Sequence, residues 1–217
     1  NVIGGAGMPK KKKIQRKSID KTKTIPKPKA SIEELQESRN GGQIALRGYS
    51  YQFLYSCYLM LSCKDENTVF NLEGIEDIDK IVSTSDEQKT MHIQLKYSEN
   101  KQDASFMKSV LKNFLEAYLL DKNRAFKLVY DFSVAKGHLS KLVNNILDSD
   151  ELQYWKATVD EIKNENPQWN WNQLDFDDLI SKVSYENIKK AVLAERVEIA
   201  LIENYDITTD NIKLFAN

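Results

Sequence analysis

The stretch Val69–Ser98, VFNLEGIEDIDKIVSTSDEQKTMHIQLKYS, decides the fold. VFNL (69–72) reads as a short strand, GIEDIDKIVS (74–83) as a second and MHIQLKYS (91–98) as a third, with the polar link 84–90 as an ordinary hairpin connection. Side chains alternate across a strand, so Met91, Ile93, Leu95 and Tyr97 share one face of the third strand and His92, Gln94, Lys96 and Ser98 the other. The same rule puts Asp77 and Asp79 of the second strand on one face and Glu76 on the opposite one. A carboxylate, a carboxamide and a lysine are thereby expected to converge across a hairpin.

Working outward, Ser105–Leu120 carries apolar residues at Phe106, Val110, Leu111, Phe114, Leu115 and Tyr118, a helical repeat. FKLVYDFSV (126–134) follows as a buried strand. Upstream, Ser31 and Glu34 form a capping-box start for a short helix that ends before Asn40-Gly41-Gly42. QIALRGYSYQFLYSCYLMLSC (43–63) then reads as a second, buried helix. Tyr49, Tyr51, Phe53 and Tyr55 alternate as in a strand, but about 20 residues without a turn signal exceed one strand. Its aromatic residues are expected to pack in the core, with Tyr51 and Gln52 bordering any site. Helices are expected near 137–147, 151–164, 175–183 and 186–205, with Trp169 and Trp171 in a packed connection around Pro167.

The expected architecture is therefore α/β, a helix, a three-stranded meander, a helix and a strand, followed by a mainly helical C-terminal part. Three regions follow: a basic arm over 1–30, a core over 31–135, and a helical extension over 136–217 that packs on the core or links to a missing domain. Asn1–Gly7 ahead of Met8 reads as an expression scar, and the final turn running into Asn217 reads as a cut from a longer protein.

Composition narrows the class. The chain has 217 residues, 41% hydrophobic and 29% charged, the profile of a folded protein with one core. It offers no run of roughly 18–20 apolar residues that would cross a bilayer and no apolar leader, so a cytoplasmic location without membrane contact is expected. Cys57 and Cys63 lie in an aromatic stretch without CxxC spacing or nearby histidines, against a zinc site or a disulfide scaffold. No GxxxxGK[ST] loop follows a strand, which excludes a P-loop. The net charge of −1 conceals a +9 segment over residues 1–29 and a −10 remainder. The arm can hold phosphates without reading sequence, or serve only to solubilise; the body has no excess of basic residues.

Phosphodiester hydrolysis needs charge at the phosphate and a water made nucleophilic near neutral pH, both of which a bound divalent cation supplies. Asp79 is the candidate charged ligand and the Gln94 side-chain oxygen the neutral one, with Mg2+ the expected ion and Mn2+ its substitute. Lys96 would hold the attacking water and offset developing charge. Lys17, Lys89, Lys96, Lys101 and Lys163 all follow Glu or Gln by two positions, but Lys96 alone falls on an alternating strand beside an acidic one. The competing reading places Gln94 and Lys96 on the solvent face of a half-exposed sheet, ion-paired with Asp77 and Asp79. His92 and His138 are expected to be structural or exposed.

GGQIALRGYSYQ (41–52), LEGIEDID (72–79) and IQLK (93–96) together resemble the PD-(D/E)xK double-stranded DNA endonuclease domain of bacterial antiphage effectors. Such domains occur in CBASS effectors, in AVAST sensors and beside HerA-type ATPases. The resemblance is close over residues 40–135 and looser beyond. It implies a restriction-endonuclease-like fold, Mg2+-dependent cleavage of duplex DNA with little sequence preference, and activation by homo-oligomerisation driven by a sensor or ATPase, fused or separate. Asp79, Gln94 and Lys96 match the catalytic core of that family; Glu73, Asp77 and Gln52 match positions near it. Gln94 departs from the Glu or Asp of many such enzymes, which lowers the charge on the metal and leaves the number of ions open. An enzyme is the favoured reading. A catalytically inactive nucleic-acid- or partner-binding module of the same fold is the alternative, and a purely structural assembly domain built on the helical half is a third.

Overall fold

The alternation in the third strand is realised as a sheet covered on both faces. A computed structural model describes residues 32–74, 76–205 and 207, with the side chains at 32–41, 43 and 44 outside the described set. The chain divides into units 1–38 and 39–217; the basic arm falls outside the described residues.

Five strands form one mixed sheet in the order β1 (Thr68–Leu72), β2 (Ile78–Ser83), β3 (Gln88–Tyr97), β4 (Ala125–Asp131) and β5 (Val183–Asn187). The first three are an antiparallel meander, and β3, β4 and β5 run parallel. Parallel neighbours need a crossover. Helix α2 (Ala104–Leu120) supplies the one between β3 and β4, started by Asp103, whose carboxylate accepts from the Ser105 amide at 3.0 Å. The longer excursion from β4 to β5 contains α3 (His138–Val143), α4 (Ser149–Glu165) and α5 (Phe176–Ser181). Helices α1 (Ile32–Ser62) and α6 (Lys190–Tyr205) flank the sheet in sequence, giving five strands and six α-helices among the described residues.

Each face has its own core. Tyr51 and Tyr55 of α1 pack with Ile78, Ile93, Leu95, Val129, Ile188 and Leu193. On the other face Phe126, Leu128 and Tyr130 of β4 pack against α2, and the cluster continues through Trp155, Val159 and Ile162 of α4. Burying each large apolar side chain contributes roughly 1.5–3 kcal/mol, and a sheet clad on both sides needs continuous apolar strands such as AFKLVYD (125–131).

Several expectations change. The two helices expected on either side of Gly41-Gly42 are one continuous α1. A helical glycine costs about 1 kcal/mol, whereas breaking the helix requires a second costly nucleation. The alternating aromatics resolve into two i, i+4 stripes: Tyr51 and Tyr55 are buried, while Tyr49 and Phe53 are exposed, so the cluster is only half core. Strand β2 begins at Ile78 rather than Gly74 because Glu73–Asp77 is a turn, closed by a 3.0 Å bond from Glu73 N–H to Asp77 C=O. VSYEN (183–187), expected as the end of one helix and the start of another, is the strand β5. The stretch 136–217 thus supplies a sheet strand as well as helices. Trp169 and Trp171 stack with ring centroids 5.6 Å apart, and Trp171 donates to Asn166 C=O at 2.9 Å, a packed connection as expected.

Candidate active site

The polar row of β3 lies on the α2 face. Its register pairs His92 with Phe126, Gln94 with Leu128 and Lys96 with Tyr130, all three β4 residues belonging to the α2-side core. Gln94 is only 3% exposed and His92 is fully buried, so this face is not a solvent face bearing surface ion pairs.

Asp79, on β2, is opposite His92 rather than Gln94. Its Oδ1 lies 2.5 Å from His92 Nδ1, and both groups are buried. Continuing the register, Gln94 faces the position of residue 77, just beyond the end of β2. Asp77 turns into that gap. Its Oδ2 accepts from the Leu95 amide at 2.5 Å, capping β3 backbone that β2 has left, and its Oδ1 accepts from Gln52 of α1 at 3.3 Å. Desolvation pushes the Asp77 carboxyl up, opposed by the Leu95 amide and Lys96, while Glu73 adds to the rise. Asp77 and Asp79 therefore do not share a face, because strand alternation stops at Ile78.

Glu76 corrects the expectation in the other direction. Instead of pointing away, it is 8% exposed and hydrogen-bonded to Asn113 of α2. Its carboxyl is pushed up to about 7, first by desolvation and then by Asp77, with Lys96 and Asn113 pulling down and Asp79 adding to the rise. A half-buried Lys96 thus stands among Glu76 and Asp77. Glu73 is exposed at the head of the same turn with a left-handed φ of 58°. The structure brings Lys96 within reach of the charges of Glu76 and Asp77, joins Asp77 to Gln52, engages Asp79 with His92, and leaves Gln94 on the Lys96 face of β3 with Glu73 on the turn. Glu76 and Asn113 escaped the sequence reading; the signal for Glu76 was its place inside the EDID run beside Asp77.

Whether these residues suit a divalent cation is tested by one atom. Gln94 Oε1 is buried with no hydrogen-bond partner among the described residues, and a stranded carbonyl oxygen of this kind costs about 1–3 kcal/mol. Among the described residues no three His, Cys, Asp or Glu side chains group as a ready metal cage. Mg2+ does not need one, since it is commonly held by one or two carboxylates with waters and phosphate oxygens. A buried neutral oxygen without a partner, on the strand that carries Lys96, suits such an ion as a donor.

A five-stranded mixed sheet with its helical crossovers makes an α/β domain, an architecture consistent with the restriction-endonuclease-like fold. The chain belongs to the Cap4 dsDNA endonuclease domain family, whose profile matches residues 40–212. It is similar to the solved Acinetobacter baumannii Cap4 SAVED/CARF-domain containing receptor with the cyclic trinucleotide 3'3'3'-cAAA, at 16% identity and a TM-score of 0.50 over 77% of this chain and 40% of that one. The Moraxella osloensis Cap4 SAVED/CARF-domain containing receptor aligns at 14% identity and a TM-score of 0.46, over 78% of this chain and 40% of that one. The chain thus spans about 40% of the length of these relatives. No curated protein matches it. Among the described residues no helix is long and apolar enough to cross a membrane.

Proposed function

We propose that this domain hydrolyses phosphodiester bonds of double-stranded DNA with little sequence specificity, using Mg2+ or Mn2+, as the effector part of a bacterial antiphage CBASS system. Family membership supports the substrate class. The observation that carries the chemistry is the buried, unpartnered Gln94 Oε1 on the strand face that also bears Lys96, the cation that Glu76 and Asp77 feel.

Asp77, Glu76 and Gln94 would supply the oxygen donors for the cation, which would contribute Lewis-acid charge and an activated water when bound. Lys96, the cation among these carboxylates, holds a water or a phosphate oxygen and offsets charge that develops on the phosphate. Asp79 enters the site from one side with its Oδ1 committed to His92. Glu73 borders the entrance on the exposed turn. Activity requires copies of the domain to be brought together by a sensor part, fused or separate. The body's net acidic charge supports this, because a net negative domain is repelled by DNA and clustering raises effective concentration. A cytoplasmic location follows from a DNA substrate inside the cell.

The test is nicking of supercoiled plasmid by the wild type and by Lys96→Ala, each with Mg2+ or with EDTA, at concentrations that force self-association. Metal-dependent cutting by the wild type that Lys96→Ala lacks supports the reading. Plasmid retention without cutting, by the wild type and with its sensor part present, replaces it with the inactive binding module.

A further inference from the structure

His92 is buried on β3 between two groups that fix its proton. Arg124 Nη1 lies 2.7 Å from His92 Nε2. A guanidinium only donates, so Nε2 accepts and the ring proton sits on Nδ1. Nδ1 therefore donates to Asp79 Oδ1 at 2.5 Å. Arg124 is anchored in turn, its Nε donating to Asp121 Oδ2 at 3.1 Å, and Asp121 is the residue that ends α2. Phe126 stacks on the imidazole at 5.7 Å between centroids.

The far side of Asp79 meets the acidic turn. A Cβ on Gly74 would collide with Asp79 Oδ2, so the carboxylate is seated directly on the glycine backbone. Gly74 follows Glu73 in the turn that carries Glu76 and Asp77.

We propose that His92 and Arg124 are positioning residues of the candidate active site: Arg124 fixes the His92 tautomer, His92 holds Asp79 against Gly74, and that seat sets the turn from which Glu76 and Asp77 face Lys96. The functional meaning rests on the nuclease reading above, but the geometry can be read without activity. Partners that orient such groups commonly cost ~10–100-fold when removed.

Two amides report on the turn in the full chain: Glu73 N–H, bonded to Asp77 C=O, and Leu95 N–H, bonded to Asp77 Oδ2. His92→Leu and Arg124→Met are expected to speed hydrogen exchange at both by ~10-fold or more while Leu128 and Val129 in β4 keep wild-type rates. His92→Asn, which keeps an N–H near the Nδ1 position, is expected to restore most of the protection. Plasmid cleavage should follow the same ranking, ~10–100-fold down for the first two and recovered in the third. Unchanged exchange at Glu73 and Leu95 in Arg124→Met overturns the proposal even where His92→Leu fails to fold. Uniform loss of protection across β4 with no recovery in His92→Asn also overturns it, since the ring is then only core filling. A wild type that does not cut under any metal defeats the nuclease reading instead, and the exchange rates still decide the positioning.

Discussion

Glu151 and Glu76 are both buried glutamates, and the chain treats them in opposite ways. Glu151, at the start of α4, is 2% exposed; Lys141 Nζ reaches its Oε1 at 2.8 Å and His138 Nδ1 its Oε2 at 2.9 Å. Those partners, Lys141 foremost, hold its carboxyl below the usual range despite burial. Glu76 has Asn113 and the more distant charge of Lys96, shares its turn with Asp77, and is pushed up to about 7. An acid that only joins helices is given its counter-charges by the fold. One left short of them matches the proposed role of receiving a charge from outside.

The sharpest way to test this contrast is Lys96→Ala, which removes a cation facing Glu76 and Asp77. It should lower metal-dependent plasmid cleavage by about 100-fold or more, in line with the loss of a charge-stabilising group, whereas Lys141→Ala should leave the cleavage rate near wild type.

Stability against pH separates the two glutamates next, with opposite signs. Glu76 has a folded pKa of about 7 against an ordinary 4.5. It contributes nothing below 4.5, where both states are protonated, and costs progressively more as pH rises from there to about 7, on the order of 3 kcal/mol in all. Glu76→Gln should therefore stabilise the metal-free chain at pH 8 in urea denaturation, and added Mg2+ should stabilise the wild type more than the variant. Glu151 is the mirror case. Its stabilisation is present above the ordinary glutamate range and is lost as pH falls through its depressed folded value. Glu151→Gln should cost about 2 kcal/mol at pH 7, the scale of hydrogen bonds to a charged group, with cleavage unaffected below the melting temperature. The smallest effect belongs to Asn113→Ala. Losing that hydrogen bond should move the midpoint of the Glu76-dependent stability loss upward in pH, seen in the same denaturation series.

Period and burial made most of this legible beforehand. The apolar row of β3 fixed which face met α1, and hence that Gln94 and Lys96 lay together on the other. Asp79 was placed on the correct face, but its partner was not foreseen, because register across a hairpin depends on where β2 begins, and a β-pattern running from Gly74 gives no sign that the first four positions are a turn. The same extrapolation sent Glu76 the wrong way. Strand β5 was missed because VSYEN is short, and its stabilising neighbours, Phe126 to Tyr130 of β4, are more than 50 positions away in the chain. Single-chain patterning reports local period; it does not report which distant edge is waiting for a strand.

That waiting edge has a consequence for synthesis. A ribosome delivers Glu76, Asp77, Gln94 and Lys96 in the first half of the chain, yet β4 has no neighbour on its open side until residues 183–187 have emerged. At about 5–20 residues per second the nascent hairpin spends several seconds with its residues in place and its sheet unfinished. Completion of the sheet that carries the candidate site is thereby deferred until residues 183–187 have emerged, and a fragment ending at residue 135 would present the same bare edge permanently.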